Sequence, residues 1–60
     1  MTLQFIGTHG SMGLQTGRTY ECSIQTRYNH IWVTWSDSDW GPGSCPYSSL
    51  EALASNWKNV

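Results

Sequence analysis

Hydrophobic and polar residues alternate along three segments of the chain, and an alternation with a period of two is typical of β-strands. In residues 2–6, Leu3 and Phe5 lie on one face and polar residues lie on the other. Residues 19–26 show the most regular alternation, and residues 31–36 are rich in β-branched and aromatic side chains. The short connection RYNH between the last two segments is typical of a hairpin turn. The pattern therefore predicts three consecutive antiparallel strands that form a meander.

The period of the pattern changes near the end of the sequence. Four apolar residues there follow the i, i+3, i+4, i+7 spacing of one face of an α-helix, namely Leu50, Leu53, Ala54 and Trp57. A serine followed three residues later by a glutamate is typical of a capping box, which places the helix start at Ser48 with Glu51 as its partner. We predict a helix over residues 49–58, preceded by a short edge strand at residues 45–47 that tolerates Pro46.

The apolar residues that face inward in these elements are enough for one compact core. They are Leu3, Phe5, Leu14, Tyr20, Cys22, Ile24, Ile31, Val33, Trp35, Leu50, Leu53 and Trp57. A chain of 60 residues is expected to form a single domain, residues 1–60. The fold class that follows is mainly β with one C-terminal α-helix. Because a chain this short buries only about 60% of its unfolded surface, it often needs oligomerisation for stability, and we expect a homo-oligomer.

The charge of the chain argues against several classes of partner. It carries three basic and four acidic residues and a net charge of −1. Nucleic-acid binding draws much of its affinity from clustered lysine and arginine side chains, so we expect no nucleic-acid partner. The sequence has no basic amphipathic helix and no apolar run of about 20 residues, so we expect no membrane association. No signal peptide is visible at the start, which predicts a cytoplasmic location.

The cysteines and histidines do not form a recognisable catalytic or metal-binding motif. Cys22 and Cys45 are far apart in the sequence and form no CxxC pair, so we expect reduced thiols, with a disulfide as the alternative. Together with His9 and His30 they are the ligand types of zinc but lack its paired spacing, so we expect no metal and no cofactor. No nucleophile and base lie at a suitable spacing, and a short chain has little room for a dry cleft. We therefore expect no enzymatic activity.

A glycine-rich segment, GTHGSMG at residues 7–13, is the first candidate for a binding site. Consecutive backbone N–H groups in glycine-rich turns can cradle an anion. In such a site Gly10 and Ser11 would supply donors and His9 a switchable charge. Arg18 follows the segment and would make the bidentate contact that a phosphate favours. The alternative is a plain structural loop.

Three of the four aromatic residues outside the predicted core are candidate binding residues. Trp32 lies on the face of its strand opposite the core-facing residues, so it is either an exposed binding residue or part of a second covered face. Trp40 lies in a loop rich in Asp, Gly and Pro, where it forms either a stacking platform or a lid over one end of the fold. Tyr28 lies in the predicted hairpin turn and would join the same surface.

The order of the elements, with Leu14, Gly17 and Tyr20 leading into the second strand, resembles SH3-like small β-barrels. The segments FIGTHGSMGL, IWVTW and CPYSSLEALASNW are similar to small proteins encoded by bacteriophages. These resemblances imply a small SH3-like antiparallel barrel and an accessory role in the host cytoplasm, such as countering a defence system. The chain lacks the acidic loop and paired tyrosines of peptide-binding SH3 domains, which argues against binding of proline-rich peptides.

Two hypotheses of function follow from these observations. The first is a binding protein that sequesters a small anionic, nucleotide-like ligand, with the glycine-rich segment and Arg18 on its phosphate. In that hypothesis Tyr28, Trp32 or Trp40 stacks on the base. The alternative is a protein-interaction module that inhibits a host protein through Trp32 and Trp40. No motif identifies the ligand, the partner or the number of subunits.

Overall fold

The computed structural model describes residues 1–60 and consists mainly of β-strands. The strands are β1 (Thr2–Phe5), β2 (Thr19–Arg27), β3 (His30–Trp35), β4 (Gly43–Tyr47) and β5 (Trp57–Asn59). A one-turn 3-10 helix lies at Ser11–Gly13, and the α-helix α1 spans Leu50–Ala54. All five strands form one antiparallel sheet in the order β4-β3-β2-β1-β5, which confirms the mainly β fold class with a helix near its end. Neither helix has the length and apolar character needed to cross a membrane.

One face of the sheet carries the core. Nine buried residues form its cluster: Leu3, Phe5, Leu14, Tyr20, Cys22, Val33, Trp35, Tyr47 and Trp57. Trp57 contacts three aromatic rings of this cluster, with centroid distances of 5.1 Å to Phe5, 5.8 Å to Trp35 and 6.1 Å to Tyr20. Burying each large apolar side chain contributes about 1.5–3 kcal/mol, so this aromatic group contributes substantially to stability.

Two residues predicted for the core are exposed. Ile24 is exposed because the second half of β2 extends past the residues that cover the first half. Leu50 is 71% exposed because it begins α1 on the side away from the sheet. Tyr47 is buried in the core, although the sequence pattern did not predict it there.

The two edge strands of the sheet meet only through side chains. The indole N–H of Trp57 on β5 donates to the hydroxyl of Tyr47 on β4 at 3.0 Å, and both groups are buried. No backbone pairing joins β4 to β5, so the sheet is curled over its core but is not closed into a barrel.

The hairpin between β2 and β3 has the two-residue turn that the RYNH segment predicts. Arg27 pairs with His30, and the two residues between them, Tyr28 and Asn29, have φ angles of 52° and 62°. Positive φ angles at both central positions are typical of a type I′ turn, whose twist matches that of the flanking strands. The predicted hairpin turn is confirmed.

The C-terminal part of the chain differs most from the prediction. The helix predicted over residues 49–58 ends at Ala54, and residues 57–59 form β5 instead. Ser55 Oγ donates to the carbonyl of Glu51 at 2.9 Å, and the Asn56 side-chain amide donates to the carbonyl of Ala52 at 2.9 Å. Polar side chains thus bond to carbonyl oxygens at the end of the helix. Trp57 is buried as its spacing indicated, but through strand pairing with β1 rather than on a helix face.

The start of the helix is also shifted by one residue. Ser49, not Ser48, is the N-cap, because its side chain accepts the backbone N–H of Ala52 at 3.1 Å. The strand predicted at 45–47 is longer than expected and begins at Gly43.

Candidate functional site

Several backbone donors in and next to the glycine-rich segment bond to carbonyl oxygens nearby. The N–H groups of Gly10, Ser11, Gly13 and Leu14 donate to carbonyl oxygens of residues 8–14 at 2.7–3.3 Å. A cradle for an anion needs N–H groups that converge on open space. These four groups therefore close the turn rather than offer a site for phosphate.

His9 helps to close the same segment. Its Nδ1 accepts the backbone N–H of Thr16 at 3.2 Å, and Thr16 Oγ1 donates to the carbonyl of Gly7 at 2.7 Å. A ring nitrogen that accepts a hydrogen bond carries no proton, so Nδ1 is unprotonated in this contact. The histidine holds the two ends of the loop together in this arrangement.

Arg18 lies in a polar cleft at one end of the sheet. The cleft has a volume of about 270 Å³ and runs between Arg18–Glu21 at the start of β2 and Ser36–Asp39 after β3. Arg18 Nη1 is 4.0 Å from Asp39 Oδ1, and its guanidinium is 5.8 Å from the centre of the Tyr20 ring. Three carboxylates and one guanidinium line this cleft, and the Met1 ammonium donates to Glu21 Oε1 at 3.1 Å. The charge that remains is negative and opposes the binding of an anion.

Trp40 is the most prominent feature next to this cleft. Its side chain is 75% exposed, so it does not act as a lid over the core. It packs against Gly13 of the glycine-rich segment, where an added Cβ would lie 2.7 Å from Trp40 Cγ. The structure thus brings Trp40 and the glycine-rich segment together, as the ligand hypothesis required of these two.

The backbone around Trp40 is held by several hydrogen bonds. The Trp40 N–H donates to Ser38 Oγ at 3.1 Å, and Ser38 Oγ donates to the carbonyl of Gly41 at 2.7 Å. The Asp39 N–H donates to the carbonyl of Gly13 at 3.0 Å, and the Gln15 side-chain amide donates to the Asp39 carboxylate at 2.9 Å. These contacts preorganise the backbone that carries an exposed indole.

Tyr28 and Trp32 lie at the opposite end of the β2–β3 hairpin from the cleft. Tyr28 is 86% exposed in the turn, whereas Trp32 is half-buried on the outer face of β3. The indole N–H of Trp32 donates to the carbonyl of Arg27 at 3.2 Å, and the Arg27 guanidinium lies 5.4 Å from the centre of its ring. The structure therefore separates Tyr28 and Trp32 from His9, Gly10, Ser11, Arg18 and Trp40.

Sequence reasoning missed the neighbours that decide the character of both surfaces. Asp39 neutralises Arg18 across the cleft, and Arg27 covers one side of Trp32. The Arg27–Trp32 contact follows from the hairpin turn, because a two-residue turn places residues on both sides of it in adjacent strands. Nothing in the spacing of Arg18 and Asp39 indicates that a loop after β3 would return to the start of β2.

The cysteines are free thiols in the structure. Burial raises the pKa of the Cys22 thiol, whose Sγ donates to the carbonyl of Tyr20 at 3.5 Å. Cys45 is half-buried on β4, and its Sγ donates to the carbonyl of Pro46 at 3.7 Å. A buried thiol with a raised pKa is a weak nucleophile, so Cys22 acts as a packing residue.

Comparison of the chain with protein-family models, with curated proteins and with solved structures finds no match.

Proposed function

We propose that this chain is a non-enzymatic protein-interaction module in which Trp40 anchors the partner. The observation that carries this proposal is an indole that is 75% exposed on a loop held by its own hydrogen bonds. Binding hot spots are enriched in tryptophan because the side chain buries a large area with little loss of entropy. A preorganised loop lowers the ordering cost further, because little freedom remains to be lost on binding.

The contacts at Arg18 favour a protein partner over a nucleotide-like ligand. Glu21, Asp37 and Asp39 share the cleft with Arg18. The N–H groups of Gly10, Ser11 and Gly13 donate to carbonyls of the protein. A nucleotide bound at Arg18 would bring its phosphate towards carboxylates. Sequestration of a small anionic ligand therefore stays a prediction that these contacts do not support.

The environment of the cysteines supports the non-enzymatic part of the proposal. The Cys22 thiol lies in the core, and burial raises its pKa. It is therefore held in the thiol form that is poorly suited to nucleophilic chemistry.

The proposal includes an SH3-like arrangement and a phage accessory role for the module. The strand order and the curl that brings Tyr47 of β4 to Trp57 of β5 support a small barrel-like fold. An origin in a bacteriophage, action in the host cytoplasm and inhibition of a host defence protein rest on the sequence resemblance. Each of these stays a prediction.

Immobilised wild-type protein, Trp40→Ala and Tyr28→Ala provide the test. We expect at least one bacterial protein to be enriched on the wild type, and to lose about 30-fold or more in affinity on Trp40→Ala, because a hot-spot tryptophan contributes at least about 2 kcal/mol. Tyr28→Ala is the matched control, since it removes an equally exposed aromatic residue at the other end of the hairpin. Quantitative mass spectrometry of the bound proteins and a titration with the enriched protein give the measurement.

Equal retention of the same proteins by the wild type and Trp40→Ala would refute the proposal. Thermal unfolding of each variant is measured alongside, so that a loss of binding is attributed to the side chain rather than to the fold.

A further inference from the structure

The turn of the β2–β3 hairpin holds an exposed aromatic residue in a strained backbone conformation. Tyr28 has a φ of 52° and is 86% exposed. Asparagine and glycine are the residues favoured at such positions, because most side chains clash with the backbone in the left-handed region. The fold gains little burial from a tyrosine here, and strain of this kind is often found at functional sites.

The residues beside Tyr28 give this turn a positive and aromatic character. We name residues 27–32 the hairpin tip. The Arg27 guanidinium lies over the Trp32 ring at 5.4 Å, and His30 Nδ1 is 2.9 Å from the carbonyl of Tyr28. No acidic residue occurs between Cys22 and Ser36, so the charge of Arg27 has no carboxylate partner within the hairpin.

The other end of the same hairpin carries the opposite charge. Glu21, Asp37 and Asp39 line the polar cleft together with the single guanidinium of Arg18. Glu21 pairs with the Met1 ammonium and Asp39 with Arg18, so Asp37 is the carboxylate without a cationic partner. The path along β2 from Glu21 to Arg27 is about 20 Å, at roughly 3.3 Å per residue. This is more than twice the screening length of about 8 Å at physiological salt, so the two charged ends do not pair within one molecule.

The geometry points to a second copy of this chain as the occupant of the hairpin tip. We propose that the tip of one copy docks into the polar cleft of the next, with Arg27 facing Asp37. The cleft volume of about 270 Å³ lies just below the range of small-molecule sites and is suited to one or two side chains. Charge complementarity selects this occupant, because both halves of the contact are present on every copy.

The contact joins two different surfaces and is therefore heterologous. A head-to-tail contact closes into a ring or continues as an open chain of subunits, according to the rotation between neighbours. The surface charges make the assembly sensitive to salt, so it forms most readily at low ionic strength.

Sedimentation velocity of the full chain at several protein and salt concentrations tests the proposal. Arg27→Glu reverses the charge of the tip and leaves the cleft intact. Asp37→Lys reverses a charge in the cleft and leaves the tip intact. We expect the wild type to associate, and each variant alone to associate at least tenfold more weakly. An equimolar mixture of the two variants restores the wild-type contact between the intact tip of Asp37→Lys and the intact cleft of Arg27→Glu. The two reversed charges face each other in the second contact and attract as well. The mixture therefore associates more strongly than either variant alone.

Lys58→Glu is the matched control, because it makes the same change of charge on β5, outside the tip and the cleft. It associates like the wild type. A wild type that stays monomeric at low salt, or a mixture that associates no more strongly than each variant alone, would overturn the proposal. Trp40 is unchanged in all of these proteins, so failure of the assembly leaves the Trp40 proposal standing.

Discussion

At the scale of single residues, Tyr47 links the two edge strands of the sheet across the core. Its hydroxyl accepts the indole N–H of Trp57 at 3.0 Å and joins the two edge strands. Burial, together with a hydrogen bond to Cys45, raises the pKa of Tyr47 to about 12. In the unfolded chain this phenol loses its proton near the ordinary value of 10, so the unfolded state ionises first as the pH rises.

We therefore expect the free energy of unfolding to be constant with respect to Tyr47 below pH 10 and to fall between pH 10 and 12. Tyr47→Phe removes this component of the slope. It also destabilises the protein at neutral pH by about 1–3 kcal/mol, because the buried Trp57 N–H loses its acceptor. Urea unfolding across this range gives the measurement, and Tyr28→Phe, at an exposed site, retains the slope. An unaltered slope in Tyr47→Phe would contradict the assignment.

At the scale of elements, the β2–β3 hairpin shows a conflict between stability and the proposed assembly. Tyr28→Asn places the residue that a type I′ turn favours at the strained position, and we expect the free energy of unfolding to rise by about 1 kcal/mol. The same change weakens self-association, because it removes the aromatic group at the tip. Asn29→Gly is the control, since it suits the turn and leaves Tyr28 in place. Chemical unfolding at low protein concentration measures the gain, and a Tyr28→Asn variant no more stable than the wild type would argue against strain.

The elements also show how far the sequence predicts this structure. Alternation predicted β1, β2 and β3 because β1, β3 and the first half of β2 each have a buried face and a more exposed face. The spacing of Leu50, Leu53 and Trp57 suits a helix, yet Trp57 belongs to β5, because pairing with β1 is a tertiary contact that local periodicity does not contain. The site residues were chosen by type, and their separation into two ends of the hairpin depends on register and loop path, which have no local signal.

At the scale of the whole molecule, the position of Trp40 depends on two loops from distant parts of the sequence. The glycine-rich segment follows β1, the Trp40 loop follows β3, and the two meet where Asp39 N–H donates to the carbonyl of Gly13 at 3.0 Å. An added Cβ at Gly13 would lie 2.7 Å from Trp40 Cγ and 2.8 Å from its backbone nitrogen. The absence of a side chain at this glycine allows the loops to pack and so sets the position of the exposed indole.

Gly13→Ala therefore displaces the Trp40 loop, and Gly10→Ala is its matched control. Both glycines have positive φ angles, of 77° and 83°, so both substitutions strain the backbone by a similar amount, about 1–2 kcal/mol. Nothing lies within 4 Å of an added Cβ at Gly10, so only Gly13→Ala adds a clash. We expect Gly13→Ala to be less stable than Gly10→Ala by about 1–3 kcal/mol.

Gly13→Ala also shifts the tryptophan fluorescence and weakens binding of the partner captured through Trp40. Equal stability and equal spectra in the two variants would show that the loops move apart without cost, and Trp40 would then not be a preorganised anchor.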